Sequence, residues 1–484
     1  MFAGDLPGAS VTRTARAFAP WILALALVTG ATAAEKAADA FPEPSAARVA
    51  DASPESSAAR VAGTPGVAGG TKAGERRPNL IFLSIDDLRP DRLGAYGDER
   101  PISPLFDRLA AEGILFENAY SVSSWTLPAH ASMFTGLHPR THGAINQYAP
   151  PRKIYPMLAE TLEKHGYTNL GYSGGGWVTP AFGFARGFAE FEDIWWPPRA
   201  VKKIVSRLET LGPDKPYFLF FHTFGVHCPF NVPEEYREQF DRQPAEHHFE
   251  LKGKCGDTHF EKMDLSPEQI AFISDRYDAG IRQTDDHLGP LFDFLRERGD
   301  LERTILVITS DHGEEFDEHG HMGHGRALYA ETLLVPLLFR VPGRPAGRVP
   351  APVSLVDLTP TILELLDLPP DGEMEGKSLV PLLDDVGTDP GRPVFAETNL
   401  RGENVRSIVD EGHHLIVDRK NEKTLLFDLK ADPRQKSPVE RDAVRSRLQA
   451  KLDEHIGRET TAPSERADAS KERIEQLRAL GYVE

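Results

Sequence analysis

Cysteine and long apolar runs are both scarce in this chain of 484 residues. Its two cysteines, Cys228 and Cys255, have no C-x-x-C spacing. This excludes a zinc site built from cysteine and leaves either one disulfide bridge or two free thiols. The apolar run at residues 17–28 is shorter than the roughly 20 residues that a membrane-spanning helix needs.

Positive charge is also in deficit, because 55 lysines and arginines face 73 aspartates and glutamates, and the formal net charge is −18. A protein that binds nucleic acid needs a basic surface for the phosphate backbone, so nucleic acid is not expected as a partner. The charge is still compatible with a small anionic ligand, since a bound metal ion reverses the local field.

The first residues have the pattern of an export signal. Arg13 and Arg16 precede the apolar run, and Ala31-Thr32-Ala33 follows it as a small-residue cleavage site. We therefore predict a signal peptide at residues 1–34, a periplasmic or secreted location, and no stable membrane span after signal cleavage. Residues 35–76 are rich in Ala, Pro and Ser, which predicts a disordered linker because such a segment buries too little apolar surface to fold.

Apolar segments of strand length alternate with helical segments from Pro78 onward. Strands are predicted at residues 79–85, 217–221 and 304–309, and helices at residues 104–112 and 154–165. Such alternation favours an α/β fold with a large, mixed but mostly parallel sheet flanked by helices, which we assign to residues 77–390. In such a sheet, ligands bind beyond the carboxyl ends of the strands.

Residues 391–484 have a different pattern, in which short strands precede one charged helix. The strands are predicted at residues 394–397, 405–409, 413–417 and 425–429, and the helix at residues 441–456. This order predicts a small C-terminal α+β subdomain with an antiparallel sheet that packs on the large domain.

Two pairs of candidate metal ligands follow predicted strands. Asp86 and Asp87 come directly after the strand at residues 79–85, and Asp311 and His312 follow the later strand that ends at residue 309. These side chains suit one divalent cation, with calcium or manganese preferred and magnesium or zinc as alternatives. For each pair alone, the alternative is a helix N-cap or a solvated turn.

A hydroxyl group suited to nucleophilic attack precedes a predicted helix. Thr126 stands just before Pro128, which favours the start of a helix that runs through Thr135. The positive end of the helix dipole and a bound metal would both activate the hydroxyl, which is otherwise a weak nucleophile. His130, one turn further along, is positioned to face the same ligand. The alternative is that Thr126 only caps the helix.

Five segments resemble, in this order, the motifs of the sulfatase family within the sulfatase/alkaline phosphatase superfamily. Similarity covers most of residues 77–433, and the segments are PNLIFLSIDDLRPDRLGAYG, SPLFDRLAAEGILFENAYS, WTLPAHASMFTGLHPRTHG, SDHGEEFDEHGHMGHGRALYAETLLVPLLFRVPG and VSLVDLTPTILELLDLPP. The resemblance implies an alkaline-phosphatase-like fold and a metal-dependent hydrolase.

The resemblance also implies roles for individual residues. The family's metal ligands match Asp86, Asp87, Asp311 and His312. Thr126 matches the residue that attacks the ester, and it is also expected to bind the metal. His227 matches a substrate-binding histidine, and His324 lies where related enzymes place a Lys or His that contacts the transferred group. Apart from the resemblance, the histidines expected to act in catalysis, as candidates to protonate the leaving oxygen, are His130, His227 and His324. His222 and His319 are weaker candidates, for substrate binding. The alternative for each histidine is an ordinary core or surface imidazole.

The nucleophile motif departs from the family pattern. Sulfatases have C/S-x-P-x-R, whose Cys or Ser is oxidised to formylglycine, whereas this chain has Thr126-Leu127-Pro128-Ala129-His130. A threonine cannot form that aldehyde, so no formylglycine is expected, and a second displacement at sulfur or phosphorus must break a threonine ester. The family's Gly-Lys-Trp-His block is also replaced, by Ser173-Gly174-Gly175-Gly176-Trp177.

We therefore expect a sulfatase-like hydrolase that cleaves a sulfate or phosphate ester through Thr126. The double displacement favours phosphoryl chemistry, whereas the motif set favours the sulfatase branch. The expected substrate is a small anionic ester or a sulfated or phosphorylated glycan. The first alternative is a phospho-transferase of the same superfamily that acts on a lipid or glycan, and the second is a noncatalytic binding protein.

Overall fold

A computed structural model describes residues 76–212, 215–249 and 263–457. The predicted signal peptide and almost all of the predicted linker lie outside the described residues, as does Cys255. Cys228 is described and forms a disulfide bond, so the alternative of two free thiols is wrong. None of the described helices combines the length and the hydrophobicity that a bilayer crossing requires.

The strands of the described residues fall into three sheets. In chain order they are β1 (Asn79–Ile85), β2 (Ile114–Tyr120), β3 (Thr168–Ser173), β4 (Glu190–Asp193), β5 (Tyr217–Thr223), β6 (Thr304–Thr309), β7 (Glu315–Phe316), β8 (Met322–Gly323), β9 (Leu334–Arg340), β10 (Gly347–Ser354), β11 (Val394–Thr398), β12 (Val405–Asp410), β13 (His413–Asp418) and β14 (Lys423–Asp428).

The large sheet has eight strands in the order β10-β2-β9-β6-β1-β5-β3-β4. Neighbouring strands are parallel except around β9, which is antiparallel to both β2 and β6. β1 lies between β5 and β6, and all of its residues are buried. A strand that is covered on both faces has a nearly continuous apolar sequence. The predicted mixed, mostly parallel sheet is confirmed.

The α-helices of the described residues flank this sheet or follow it. In chain order they are α1 (Pro104–Ala111), α2 (Thr126–Thr135), α3 (Pro139–His142), α4 (Leu158–Lys164), α5 (Pro197–Glu209), α6 (Glu234–Phe240), α7 (Pro267–Glu297), α8 (Ala330–Leu333), α9 (Leu358–Leu365), α10 (Val380–Asp384) and α11 (Asp442–Gly457).

Alternate residues of β1 enter two hydrophobic cores on opposite faces of the large sheet. Leu80 and Phe82 pack in the core that α2, α4 and α9 cover. Ile81 and Leu83 pack in the core that α1, α5 and α7 cover. Because helices cover both faces, the carboxyl-terminal edge of the parallel strands is the place where a site can open.

The last four strands form a separate antiparallel sheet in sequential order. On one face, Ile408, Leu415 and Leu426 pack against Leu448 of α11. The other face packs against the large domain, where it meets Tyr120 at the end of β2. The predicted small α+β subdomain is therefore present, while the predicted domain boundaries stay predictions.

Several predicted elements differ in their bounds from the observed ones, among them β5, α2 and α4. β5 continues through His222 and Thr223, because these residues still pair with Ser84 and Ile85 of β1. α2 begins at Thr126, before the proline that was expected to open it. α4 starts only at Leu158, since Pro156 disfavours helical backbone in the residue before it.

Candidate active site

The carboxyl ends of two adjacent parallel strands bring the predicted metal ligands to one point. Asp86 and Asp87 follow β1, and Asp311 and His312 follow its neighbour β6. All four side chains are fully buried. Asp87 has a φ of 62°, a left-handed conformation that turns the chain sharply at the end of the strand. We call these four residues the acidic cluster.

His312 lies at the centre of the acidic cluster. Its Nε2 atom is 3.3 Å from Asp311 Oδ2 and 3.9 Å from Asp86 Oδ1, and its Nδ1 atom is 3.0 Å from Asp87 Oδ1. The Nδ1 atom is also 3.1 Å from the Gly313 carbonyl oxygen, to which it donates in one tautomer. That tautomer leaves the Nε2 lone pair directed at the carboxylates, as a metal ligand requires.

Four buried carboxylate oxygens of the cluster have no hydrogen-bond partner among the described residues: Asp86 Oδ1, Asp87 Oδ1, Asp87 Oδ2 and Asp311 Oδ2. Buried carboxylates are normally paired or bound to metal, because an isolated buried charge is costly. Ligand atoms from Asp86, Asp87 and His312 lie within 4.8 Å of one another. The residues therefore fit a divalent cation with oxygen and nitrogen ligands.

The pKa values in the cluster reflect its burial. Burial, followed by repulsion from neighbouring carboxylates, raises the pKa of Asp86 and the pKa of Asp87 well above the usual range. Burial also opposes the ionisation of Asp311, but the surrounding imidazoles, His312 first, lower the pKa of this carboxyl group. A divalent cation favours the ionised form of all three carboxylates.

Thr126 is the first residue of α2, and its hydroxyl group reaches the cluster. Thr126 Oγ1 is 3.3 Å from His312 Nε2, the same atom that approaches two of the carboxylates. The threonine side chain is fully buried. Pro128 lies within the first turn of the helix, where a missing N–H removes no helical hydrogen bond. The predicted nucleophile and the predicted metal ligands are thus neighbours.

His130 lies one turn after Thr126 and is enclosed by protein groups. Its Nδ1 atom is 3.1 Å from the Thr126 carbonyl oxygen and 3.5 Å from Asp311 Oδ2. Its Nε2 atom is 3.0 Å from Ser84 Oγ. Burial lowers the pKa of His130 to about 3, so the imidazole is neutral near neutral pH. These contacts hold the start of α2 against the sheet.

His227 and His324 line the opening of the cluster, since they retain 5% and 8% exposure while the metal-ligand candidates have none. His227 Nε2 is 3.6 Å from Asp87 Oδ2, and His324 Nδ1 is 3.3 Å from Asp87 Oδ1. The two rings are 5.4 Å apart. Burial, followed by the nearby His324, lowers the pKa of His227 to about 3.

His222 lies behind the cluster rather than at its opening. Its Nε2 atom donates to Asp86 Oδ2 at 2.9 Å, and its Nδ1 atom is 3.1 Å from Ser173 Oγ. The side chain is fully buried, and burial lowers its pKa to about 4. The geometry places this histidine against a metal-ligand candidate, with no exposed surface for substrate.

His319 is not brought to the cluster. Its Nδ1 atom is 2.5 Å from Glu331 Oε1, and its Nε2 atom is 2.9 Å from the Gln435 carbonyl oxygen. The ring also stacks on Tyr329, with 3.7 Å between ring centroids. Among the described residues, its contacts thus join the large domain to the C-terminal subdomain and do not reach a predicted metal ligand.

Sequence reasoning missed two residues that surround the cluster. Glu314 is buried, and its Oε2 atom is 3.1 Å from His324 Nδ1. The Tyr277 hydroxyl group donates to the Asp87 carbonyl oxygen at 2.7 Å and accepts from the Arg89 amide at 2.8 Å. The acidic run directly after the second predicted ligand pair was a signal for Glu314, whereas Tyr277 lies within a long helix and gives no signal.

Two family models match the chain. The Sulfatase model matches residues 78–368, and a model of the C-terminal region of N-sulphoglucosamine sulphohydrolase matches residues 317–462. The N-acetylglucosamine-6-O-sulfatase of Bacteroides thetaiotaomicron is 23% identical to this chain, over 65% of this chain and 72% of its own length.

Solved structures share the fold. The phosphonate monoester hydrolase of Agrobacterium radiobacter matches with a TM-score of 0.67 at 22% identity, which covers 79% of this chain and 96% of that one. A protein solved in complex with its substrate D-glucosamine-2-N,6-O-disulfate matches with a TM-score of 0.66 at 18% identity, which covers 84% of this chain and 98% of that one.

Proposed function

The chain belongs to the sulfatase family and is a sulfatase-like ester hydrolase, and we propose that it cleaves its ester with Thr126 as the nucleophile and one bound divalent cation. The observation that carries the proposal is the 3.3 Å distance between Thr126 Oγ1 and His312 Nε2, beside buried carboxylate oxygens that have no hydrogen-bond partner among the described residues.

The proposed ligands of the cation are the acidic cluster and the hydroxyl group of Thr126. Calcium or manganese is preferred, with magnesium or zinc as alternatives, because the ligand set is mainly carboxylate oxygen with one imidazole. When bound, the cation supplies positive charge that activates the alcohol and offsets negative charge on the ester oxygens. The 2.9 Å contact with Asp86 supports a positioning role for His222.

The proposed reaction has two displacements. The Thr126 hydroxyl group releases its proton to solvent, and Oγ1 attacks the sulfur or phosphorus as the alkoxide. The bond to the leaving oxygen breaks, and a protonated imidazole gives its proton to that oxygen. Water then attacks the same sulfur or phosphorus atom and releases the threonine. Formylglycine chemistry is not part of this route, because a threonine side chain cannot become the aldehyde.

Among the three histidine candidates, we assign the proton donor to His324. Its Nδ1 atom lies 3.1 Å from Glu314 Oε2, a carboxylate placed to orient the ring, and the side chain keeps 8% exposure. His130 has protein groups at both ring nitrogens, and burial lowers the pKa of His227 to about 3, which disfavours its protonated form. His227 is instead proposed to contact the ester.

The proposed substrate is an anionic ester on a glycan or another ring-shaped alcohol. The similarity to a glucosamine sulfatase and to a structure with bound glucosamine disulfate supports a sulfated glycan. The similarity to a phosphonate monoester hydrolase supports a phosphorus ester. A periplasmic or secreted location is proposed from residues 1–34.

The test is an ester panel on protein stripped of metal and then loaded with one cation at a time. The substrates are 4-nitrophenyl sulfate, 4-nitrophenyl phosphate and a 4-nitrophenyl phosphodiester. Thr126→Ala should lose at least about 1,000-fold in kcat while it retains its cation, since a missing nucleophile removes the covalent route. Retention of most activity in Thr126→Ala would reject the nucleophile.

Two controls accompany the panel. Thr135→Ala removes a buried hydroxyl group that bonds the Ala131 carbonyl oxygen in the same helix, so it should lower stability but leave turnover within a few fold. An added acceptor alcohol distinguishes hydrolysis from the phospho-transferase alternative, because a transferase gives a transfer product in place of free phosphate.

A further inference from the structure

Two adjacent tryptophans lie on the surface near the edge of the sheet that carries the site. Trp195 and Trp196 are 48% and 49% exposed, although large aromatic side chains are usually covered. Both tryptophans follow β4. The strands β4, β3, β5 and β1 are neighbours in this order, and each is parallel to the next. The carboxyl end of β4 therefore lies on the same edge as the ends of β1 and β6.

Trp195 is connected to the opening of the site by stacked rings. Its indole stacks on the Phe224 ring, with 5.2 Å between centroids and 30° between planes. Phe224 is buried and contacts His227, with 5.1 Å between those ring centroids. Gly174 permits this arrangement, because a Cβ atom there would lie 2.6 Å from Phe224 Cδ2. One face of the indole is thus held by a fixed ring, while nearly half of the side chain remains exposed.

We propose that the outward face of Trp195 binds a ring of the leaving group, either the C–H face of a sugar or an aryl ring. The proposal rests on the proposed function, which it deepens by assigning the leaving-group subsite. Aromatic faces bind flat apolar rings by stacking and by burial of apolar surface. The indole lies two ring contacts from His227, the residue that is proposed to contact the ester.

Trp196 provides a matched control. It has the same side chain and nearly the same exposure, but its ring contacts His287 of α7, with 5.2 Å between centroids, rather than Phe224. A general effect of removing a surface tryptophan would appear equally in Trp195→Ala and Trp196→Ala, whereas a subsite effect would appear only in the first.

The experiment compares kcat/KM for three sulfate esters, or the matching phosphodiesters, on the metal-loaded full chain. The leaving groups are 4-nitrophenol, glucosamine through its 6-hydroxyl group, and ethanol. Trp195→Ala should lose about 10-fold on at least one ring ester and less than about 2-fold on the ethyl ester, and Trp195→Phe should recover most of the loss. Which ring ester is affected more distinguishes an aryl from a sugar leaving group.

Three results would overturn the proposal. Trp195→Ala could lose kcat/KM equally on the ring esters and the ethyl ester, or it could lose none on either ring ester. Trp196→Ala could also show the same loss of kcat/KM as Trp195→Ala. A separate binding measurement isolates it from the proposed chemistry. Calorimetric titration with phenyl sulfate and with glucosamine 6-sulfate should show about 10-fold weaker binding of one of them to Trp195→Ala. If no ester is hydrolysed but this difference is present, the proposed function fails and the subsite stands. If neither compound binds the wild-type protein, the subsite fails.

Discussion

Removal of divalent cations should destabilise the wild-type protein and reverse its stability order relative to Asp87→Asn. The side chain of Asp87 is fully buried with no hydrogen-bond partner for either oxygen among the described residues. Burial, then Glu314 and Asp86, raises the pKa of this carboxyl group. Without a cation, asparagine removes that repulsion at nearly constant volume, so Asp87→Asn should melt at or above the wild-type temperature.

With a cation present, the order should invert. A ligand that binds only the folded state stabilises it by about 2.7 kcal/mol at a free concentration of 100 Kd. A folded part of this size unfolds with an entropy of about 0.8 kcal/mol per degree, so the wild-type melting temperature should rise by about 3 °C. Asp87→Asn lacks one charged ligand and should gain less than about 1 °C at the same concentration.

The assay is a thermal melt in chelator and in each cation, with metal content measured by mass spectrometry on the same samples. Glu331→Gln is the control, because Glu331 pairs with His319 in a separate group of potential ligands, which Glu315 completes and which contains no residue of the acidic cluster. It should retain the wild-type shift. An equal shift in Asp87→Asn, or loss of the shift in Glu331→Gln, would refute the assignment of the cation to the acidic cluster.

Two further predictions concern residues around the cluster. His222→Phe removes the donor to Asp86 Oδ2 and should weaken cation binding about 10- to 100-fold, whereas His222→Gln should weaken it less. Competition with a chelator measures the cation affinity of both variants. Equal cation affinities in the two variants would contradict the positioning role. Burial, followed by Glu331, raises the pKa of Glu315 from 4.5 to about 8. Between pH 4.5 and about 8, Glu315 therefore keeps its proton in the folded state but loses it in the unfolded state. Wild-type stability should fall relative to that of Glu315→Gln as the pH rises through this range. A difference in melting temperature that stays constant with pH would refute this.

The strands that carry the site were predictable because each is a buried apolar run that ends at polar residues. β1 and β6 have their predicted bounds. The prediction for β5 stopped too early, since His222 is polar but continues the ladder with β1. A polar residue at a strand end has the same sequence pattern whether it continues the strand or begins the following loop. His222 contacts Asp86 because it continues the strand.

The direction of individual side chains was not predictable. Three histidines, His319, His321 and His324, follow one another closely after β6. The pairing of β7 with β8 decides which of them faces the cluster, and this pairing joins only two residues on each side. It places His324 beside Asp87 and His319 beside Glu331. So short a hairpin has no apolar period that would fix its register in the sequence.

The charge of the acidic cluster bears on the choice between sulfate and phosphate. Asp86, Asp87 and Asp311 contribute three negative charges when they bind a cation, and a divalent cation offsets two of them. His130 and His227 add no positive charge near neutral pH, because burial lowers the pKa of each to about 3. The proposed proton donor His324 adds one positive charge, which the carboxylate of Glu314 beside it offsets. A phosphate monoester would bring about two further negative charges into a site that is already negative, whereas a sulfate ester or a phosphodiester brings one. Because like charges repel strongly in a buried site, we expect a singly charged ester to bind in preference to a phosphate monoester.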